Sequence, residues 1–290
     1  MNRYVSPLRY PGGKAKLANY IKLLVEKNNL SDGVYVEPYA GGASVALRLL
    51  QDEYVSRIHI NDLDRAVFGF WHSVLNETEA LCRLIRDRRV SQAEWHRQKA
   101  VQTHARDVAV PLLDLGFSTF FLNRTNRSGI IASGGMIGGA RQTGEWKIDA
   151  RYNKPELISR IEFIARYRDR ISLYNADAID LLRDVLPTLP KKTFLYLDPP
   201  YYVKGKRRLY ANSYEHEDHA EIAKIVTATD YPWVVSYDDT KEIRALYKGR
   251  RSRAYGLGYT ARDRYEGAEI MFFNDRLRLP RGTPLVSLQQ

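Results

Sequence analysis

The chain has 290 residues, 44% of them hydrophobic and 27% charged, a balance that excludes a disordered chain and allows a sizeable buried core. No apolar run approaches the roughly 20 residues of a membrane span. The opening MNRYVSPLRYPGG lacks the apolar stretch of a signal peptide, and the one cysteine, Cys82, excludes an internal disulfide and a multi-cysteine zinc site. The expected address is therefore the cytoplasm, with no membrane partner. Lys and Arg number 45 against 34 Asp and Glu, a net charge of +11 that suits a polyanionic partner.

Taken in chain order, the first motif is Tyr10-Pro11-Gly12-Gly13-Lys14. Glycine amides followed by lysine can cradle phosphates, but here no glycine stands at the proper distance upstream. Ala15 occupies the place of a magnesium-binding Ser or Thr, and no strand precedes the turn. The better reading is that Lys14 pairs with a carboxylate of a cofactor while Tyr10 packs on it, ahead of the helix KLANYIKLLVEK.

A strand at Val34–Val36 then leads through Glu37-Pro38-Tyr39-Ala40-Gly41-Gly42-Ala43-Ser44 into the helical run VALRLLQ. A second strand, Ile58–Ile60, ends at Asn61-Asp62-Leu63-Asp64 and passes into AVFGFWHSVL. From Glu77 to Asn123 the pattern is helical and charged, and the following segment, NRTNRSGIIASGGMIGGARQTGEWKIDARYNKP, is loop-like and rich in glycine and arginine. After a helix around Glu156–Arg168 the strand-and-tip rhythm resumes. Strand Ile171–Tyr174 ends at Asn175-Ala176-Asp177, and Thr193–Leu197 ends at Asp198.

The helix HAEIAKIVTA, a strand at Trp233–Ser236 and an antiparallel pair, SRAYGLGY with AEIMFFN, complete an α/β sheet with an inserted module. The expected organisation is a catalytic domain over 1–75 and 154–279, an insertion over 76–153, and a poorly ordered tail over 280–290. His216-Glu217-Asp218-His219 has a metal-binding look, but without further ligands its acids are better read as capping the start of a helix.

In open α/β sheets, ligands bind outside the carboxyl ends of the strands, where this chain carries Glu37, Asp62, Asp177 and Asp198. The small-residue turn lets a ligand approach the backbone, and an acid on the next strand suits ribose hydroxyls. A crowd of acids disfavours a pyrophosphate and tolerates a ligand with sulfonium and ammonium groups, which describes S-adenosylmethionine. At TFLYLDPPYY, Pro199 and Pro200 force the chain to leave the sheet stiffly extended. The Asp198 carboxylate and the Asp198 and Pro199 carbonyls then form a fixed cluster of acceptors beside Tyr201, suited to an exocyclic amine on a planar base.

These motifs, SPLRYPGGKAKL, VEPYAGGASVAL, INDLD and YLDPPYY, resemble in kind and order those of the Dam-like D12 (α-group) DNA adenine N6-methyltransferases, from about Ser6 to Asn274. The resemblance implies a Rossmann-like S-adenosylmethionine-dependent methyltransferase sheet with an inserted, mainly helical target-recognition subdomain. It places cofactor contacts at Tyr10, Lys14, Glu37, Asp62, Asp177 and Asp198, and catalysis at Asp198, Pro199 and Tyr201, with no metal. The target adenine, in a specific double-stranded DNA sequence, would be turned out of the duplex and stacked on Tyr201, with Tyr214 or Tyr210 on its other face.

The same resemblance puts Lys204, Lys206, Arg207 and Arg208 on phosphates near the flipped base. Arg124, Asn126, Arg127, Arg141 and Gln142, of the segment beginning Leu122-Asn123-Arg124, would read purine edges or hold phosphates. Double-stranded DNA is the expected partner of a monomer, and a restriction endonuclease acting on the same site is a partner the resemblance admits. Rival readings are methylation of cytosine N4, of adenine in RNA or of a glutamine side chain, and a catalytically silent DNA-binding protein. Aspartate at 198 favours adenine over cytosine N4 enzymes, which more often carry Ser there, and over glutamine enzymes, which carry Asn.

Overall fold

The computed structural model describes residues 6–9, 14–202, 214–258 and 266–285. By contacts it divides into two compact units. One comprises Met1–Pro11 with Asp64–Asp169, and the other Gly12–Leu63 with Arg170–Gln290.

The second unit holds the sheet. Its strands are β1 (Gly33–Glu37), β2 (Val55–Asn61), β3 (Ile171–Tyr174), β4 (Thr193–Leu197), β5 (Trp233–Asp238), β6 (Arg251–Gly258) and β7 (Glu266–Phe273), in the order β3-β2-β1-β4-β5-β7-β6. The first five run parallel, and β7 lies antiparallel to both β5 and β6. Strands β1, β4 and β5 are buried at every residue, which is why they read as unbroken apolar runs and not as alternating ones.

Successive side chains go to opposite faces, and each face is covered. Val34, Val36, Leu195, Leu197 and Val235 meet Ile222, Ala223 and Val226 of α9 (His216–Ala228), Ile243 of α10 (Lys241–Leu246) and the turn of helix begun by α8 (Ala178–Asp180). Tyr35 and Phe194 stack with ring centroids 6.2 Å apart, and Phe273 meets Tyr20 of α1 (Ala18–Lys27) edge-on at 6.3 Å. Helix α2 (Ser44–Gln51) follows β1 and buries Val45, Ala46, Leu47, Leu49 and Leu50. His216-Glu217-Asp218-His219 opens α9, whose N-terminus is closed by a reciprocal cap between Glu215 and Asp218. Among the described residues no three metal-ligating side chains converge, and no helix is long and apolar enough to cross a membrane.

The first unit is helical: α3 (Arg65–Asn76), α4 (Thr78–Asp87), α5 (Gln92–Thr103), α6 (Leu112–Thr125) and α7 (Lys154–Ala165). It is longer than the expected 76–153 insertion because α3 packs directly on α6. A Cβ on Gly116 would lie 2.5 Å from the Gly69 carbonyl oxygen and 2.6 Å from Ser73 Oγ, so the two helices meet backbone to backbone. Of the tail, Arg253 donates to the Pro280 carbonyl at 3.2 Å and Leu285 is buried, while 286–290 lie outside the described residues.

Alanine normally stabilises a helix over glycine by about 1 kcal/mol. At Gly116 the sign is expected to reverse, with Gly116→Ala destabilising by about 1–3 kcal/mol in denaturant unfolding because the obstructing atoms include backbone. A stability equal to or above that of the parent would contradict the close approach.

Candidate active site

Strand β1 has β2 on one side and β4 on the other, so the connections leaving it diverge and open a crevice at the carboxyl ends of these strands. The tips there are tied to one another before any ligand arrives. Asn61, 1% exposed, donates through Nδ2 to the carbonyls of Pro38 (2.9 Å) and Ala176 (3.0 Å), and its Oδ1 accepts from the Ala176 amide. One side chain thus joins the tips of β1, β2 and β3.

The turn after β1 is bent through left-handed backbone at Gly41 and at Ala43, each with φ of 46°, a conformation that glycine adopts freely and alanine does not. Asp62 Oδ2 accepts from the Gly41 amide at 2.9 Å and so braces this turn from the end of β2. Glu37, 4% exposed, accepts from the Ala46 amide in the first turn of α2. Burial, with a smaller push from Asp198, holds its carboxyl well above the usual range. Asp177 caps α8 through the Ile179 amide at 2.8 Å.

The segment after β4 is held from three directions. Lys14, in the 3-10 turn Lys14–Leu17 that leads into α1, places Nζ 2.9 Å from Asp198 Oδ1 and 3.0 Å from Glu269 Oε2 on β7. Ser236 on β5 donates to the same Asp198 oxygen at 2.8 Å and is itself joined to the Tyr196 hydroxyl. The Tyr201 hydroxyl donates to the other oxygen of Glu269, and the ammonium of Lys14 sits 5.2 Å from the Tyr201 ring centre. Asp238, at the end of β5, accepts from the Tyr202 amide at 2.9 Å. Among the described residues, the bonds to the Asp198 side chain, from Lys14 and Ser236, both fall on Oδ1.

The electrostatics follow from one ammonium serving two acids, Glu269 buried and Asp198 partly so. Burial pushes the Lys14 ammonium down, and Asp198, Tyr196 and Glu269 together outweigh it, so it is held above the ordinary lysine value. Asp198 is raised above the usual carboxylate range, first by burial and then by Glu269, with Lys14 and Ser236 opposing. Glu37, Asp62, Asp177 and Asp198 at the strand tips, with one ammonium among them, suit a ligand that offers cations and hydroxyls, as S-adenosylmethionine does. The same set is ill suited to a pyrophosphate.

The sheet unit therefore brings together Lys14, Glu37, Asp62, Asp177, Asp198, Pro199 and Tyr201 of the expected residues. Tyr214 is there too: its hydroxyl is 3.1 Å from that of Tyr39, the rings meet edge-on, and burial pushes its phenol up to about 12. Tyr10, Lys204, Lys206, Arg207, Arg208 and Tyr210 lie outside the described residues. Sequence reasoning missed Asn61, Ser236, Asp238 and Glu269. Asp238 was open to the same strand-tip rule as the others, and Glu269 stood out as a lone charge in the apolar strand AEIMFFN.

In the helical unit, Arg127 and Arg141 are exposed and line one open cavity of about 540 Å³ with Trp146. Asn126 is fully buried, and its amide is engaged by the Trp95 indole (2.7 Å) and by the carbonyls of Ile130 and Ile131. Gln142 is likewise tied to the Ile137 and Gly139 carbonyls and the Ile148 amide. The expectation that Asn126 and Gln142 offer their edges to DNA fails here, because those edges build the loop. Arg124 lies among Arg9 and Arg160, and burial followed by the two neighbouring charges lowers its guanidinium to about 9.

The family model described as D12 class N6 adenine-specific DNA methyltransferase matches residues 10–257. The chain is 20% identical over 240 residues to the type II methyltransferase M.MjaIII of Methanocaldococcus jannaschii, covering 77% of this chain and 79% of that one. Two solved structures of the rRNA methyltransferase aviRa from Streptomyces viridochromogenes align over 91% of this chain and 86% of theirs, at 13% and 12% identity and a TM-score of 0.43.

Because Lys14 opposes the rise at Asp198, Lys14→Met is expected to move the Asp198 titration to higher pH, the ionised form having lost its cation. A carboxyl-carbon NMR titration of aspartate-labelled protein checks this. An Asp198 transition left in place, or moved to lower pH, would show that the ion pair does not control it.

Proposed function

The chain belongs to the D12 class N6 adenine-specific DNA methyltransferase family, and from that membership we propose that it methylates N6 of an adenine turned out of a specific double-stranded DNA sequence. The observation that carries the reading is the state of Asp198: Lys14 and Ser236 bind one carboxylate oxygen, and no described residue bonds the other. An acceptor so held, beside the Pro199 carbonyl and the Tyr201 ring, fits the two hydrogens of an exocyclic amine.

S-adenosylmethionine, held by Glu37, Asp62 and Asp177 near Lys14, supplies an electrophilic methyl group when bound. Asp198 Oδ2 accepts one N6 hydrogen and the Pro199 carbonyl the other, which turns the nitrogen lone pair toward the donor. As the N6–carbon bond forms, the sulfur–carbon bond of the donor would break and leave a neutral thioether, while the positive charge growing on nitrogen is stabilised by the Asp198 carboxylate, which then takes the extra proton and passes it to water. Tyr201 supplies an aromatic wall for the base, and Tyr214 is the better candidate for a second. Arg127 and Arg141 are assigned to DNA and Arg124 to a phosphate, whereas Asn126 is assigned to the loop itself. Support for a nucleic-acid partner comes from the helical unit, with 19 Lys and Arg against 12 Asp and Glu.

Purified protein with S-adenosylmethionine and mixed-sequence duplex DNA is expected to yield N6-methyladenine by mass spectrometry. Asp198→Ala should lower the rate at least about 100-fold while leaving DNA affinity largely intact. N4-methylcytosine as product, or no methylation across diverse duplexes, overturns the reading. Arg127→Ala and Arg141→Ala are each expected to weaken or relax target choice by about 1–3 kcal/mol if they read bases. Unchanged methylation patterns and affinity in both would remove this loop from DNA recognition.

A further inference from the structure

Glu269 lies in the middle of a strand, whereas Glu37 and Asp238 end theirs, and it is 0% exposed. A carboxylate without water is costly unless its oxygens are bonded and its charge is matched. Both conditions are met by parts of the active site: Oε2 takes the Lys14 ammonium at 3.0 Å, and Oε1 takes the Tyr201 hydroxyl. Lys14 in turn holds Asp198 Oδ1. One side chain from β7 therefore bridges, directly and through a single lysine, the first and last residues of Asp198-Pro199-Pro200-Tyr201.

We infer that Glu269 is a positioning residue for methyl transfer: it draws part of the Lys14 charge away from Asp198, keeping Asp198 a strong acceptor, and it pins the Tyr201 ring. This rests on the proposed function above. Without the Glu269 charge, Lys14 collapses onto Asp198 as its one remaining acid, and the carboxylate that must polarise the amine is neutralised by its own clamp. The Tyr201 hydroxyl at the same time exchanges a carboxylate for a weaker, uncharged acceptor, so the ring that borders the base is held less firmly. The Tyr201 ring remains to face the base with its orientation loosened, so the effect belongs in turnover more than in binding.

The test uses the full chain with Glu269→Gln, Glu269→Asp and Tyr201→Phe, measuring steady-state methylation and, without substrates, the acetylation of Lys14 by acetic anhydride mapped by mass spectrometry. Glu269→Gln is expected to lower kcat about 10- to 100-fold with KM for donor and DNA within about threefold of the parent, and to raise Lys14 labelling, since an ammonium with one acid fewer gives up its proton more readily. Glu269→Asp should recover part of kcat. Tyr201→Phe, which keeps the ring and removes one bond to Glu269, should lower kcat less than Glu269→Gln does.

A purely structural Glu269 would instead reduce the yield of folded protein and leave kcat per folded site unchanged, which overturns the inference. Unchanged Lys14 labelling in Glu269→Gln overturns it as well. Should Glu269→Gln fail to fold, parental kcat in both Glu269→Asp and Tyr201→Phe would overturn it. If the parent makes no N6-methyladenine, the proposed function fails, and the labelling comparison still decides whether Glu269 governs Lys14.

Discussion

Everything at the crevice depends on one partly buried ammonium. Asp198 and Glu269 are two acids, the first partly and the second wholly withdrawn from water, within reach of the same lysine, and without Lys14 each would raise the cost of ionising the other. Removing one partner from such a cluster costs about 3–5 kcal/mol, far more than a surface pair would. The lysine comes from the turn that opens α1, Asp198 from the end of β4 and Glu269 from β7, so the ion cluster also joins three distant stretches of chain. Stability and the proposed chemistry would therefore be vested in the same atoms, and the cluster keeps a geometry that local chain preferences alone would not hold.

The antiparallel strand is what makes the cluster possible. In a parallel sheet every strand brings only its carboxyl end to the crevice. Because β7 runs opposite to β5, its early residues reach that end, and the register sets Glu269 against Asp238. The side chain can then approach Tyr201 and Lys14 from the sheet itself, while loops after β1, β2 and β4 supply the rest. Asp238 uses its neighbouring position to accept the Tyr202 amide, so the extended segment is fixed at its start by Ser236 and Lys14 and at its end by Asp238 and Glu269. Two prolines make the segment stiff, but stiffness only transmits a direction, and the flanking bonds choose it.

Much of this was legible in the residues. The apolar runs at Val34, Ile171, Thr193 and Trp233 are strands, and the acids that follow them gather at one end of the sheet because parallel strands share a direction. What stayed hidden was of two kinds. Partners such as Lys14 with Glu269 are separated by most of the chain, and no local pattern states which acid a lysine will meet. Buried polar residues such as Asn61 and Asn126 look the same in sequence as exposed ones, since burial is decided by packing that a single strand or loop does not encode. The limits of the helical unit were missed for a related reason: α3 reads as an ordinary companion of β2, and only the Gly69–Gly116 approach reveals that it packs on α6.

Within the helical unit, a division of labour among polar side chains separates fold from recognition. The loop from Asn126 to Ile148 has no strand or helix longer than a turn, so its backbone groups need other partners. Asn126 and Gln142 supply them, and Asn123 bridges the Arg9 and Gly129 carbonyls. With these amides engaged internally, the loop is ordered before a ligand arrives, which lowers the entropy that binding must overcome. Arg127 and Arg141 are then left as exposed cations on a fixed frame, and it is the frame, built by uncharged amides, that gives those charges the definite spacing on which their proposed role toward DNA depends.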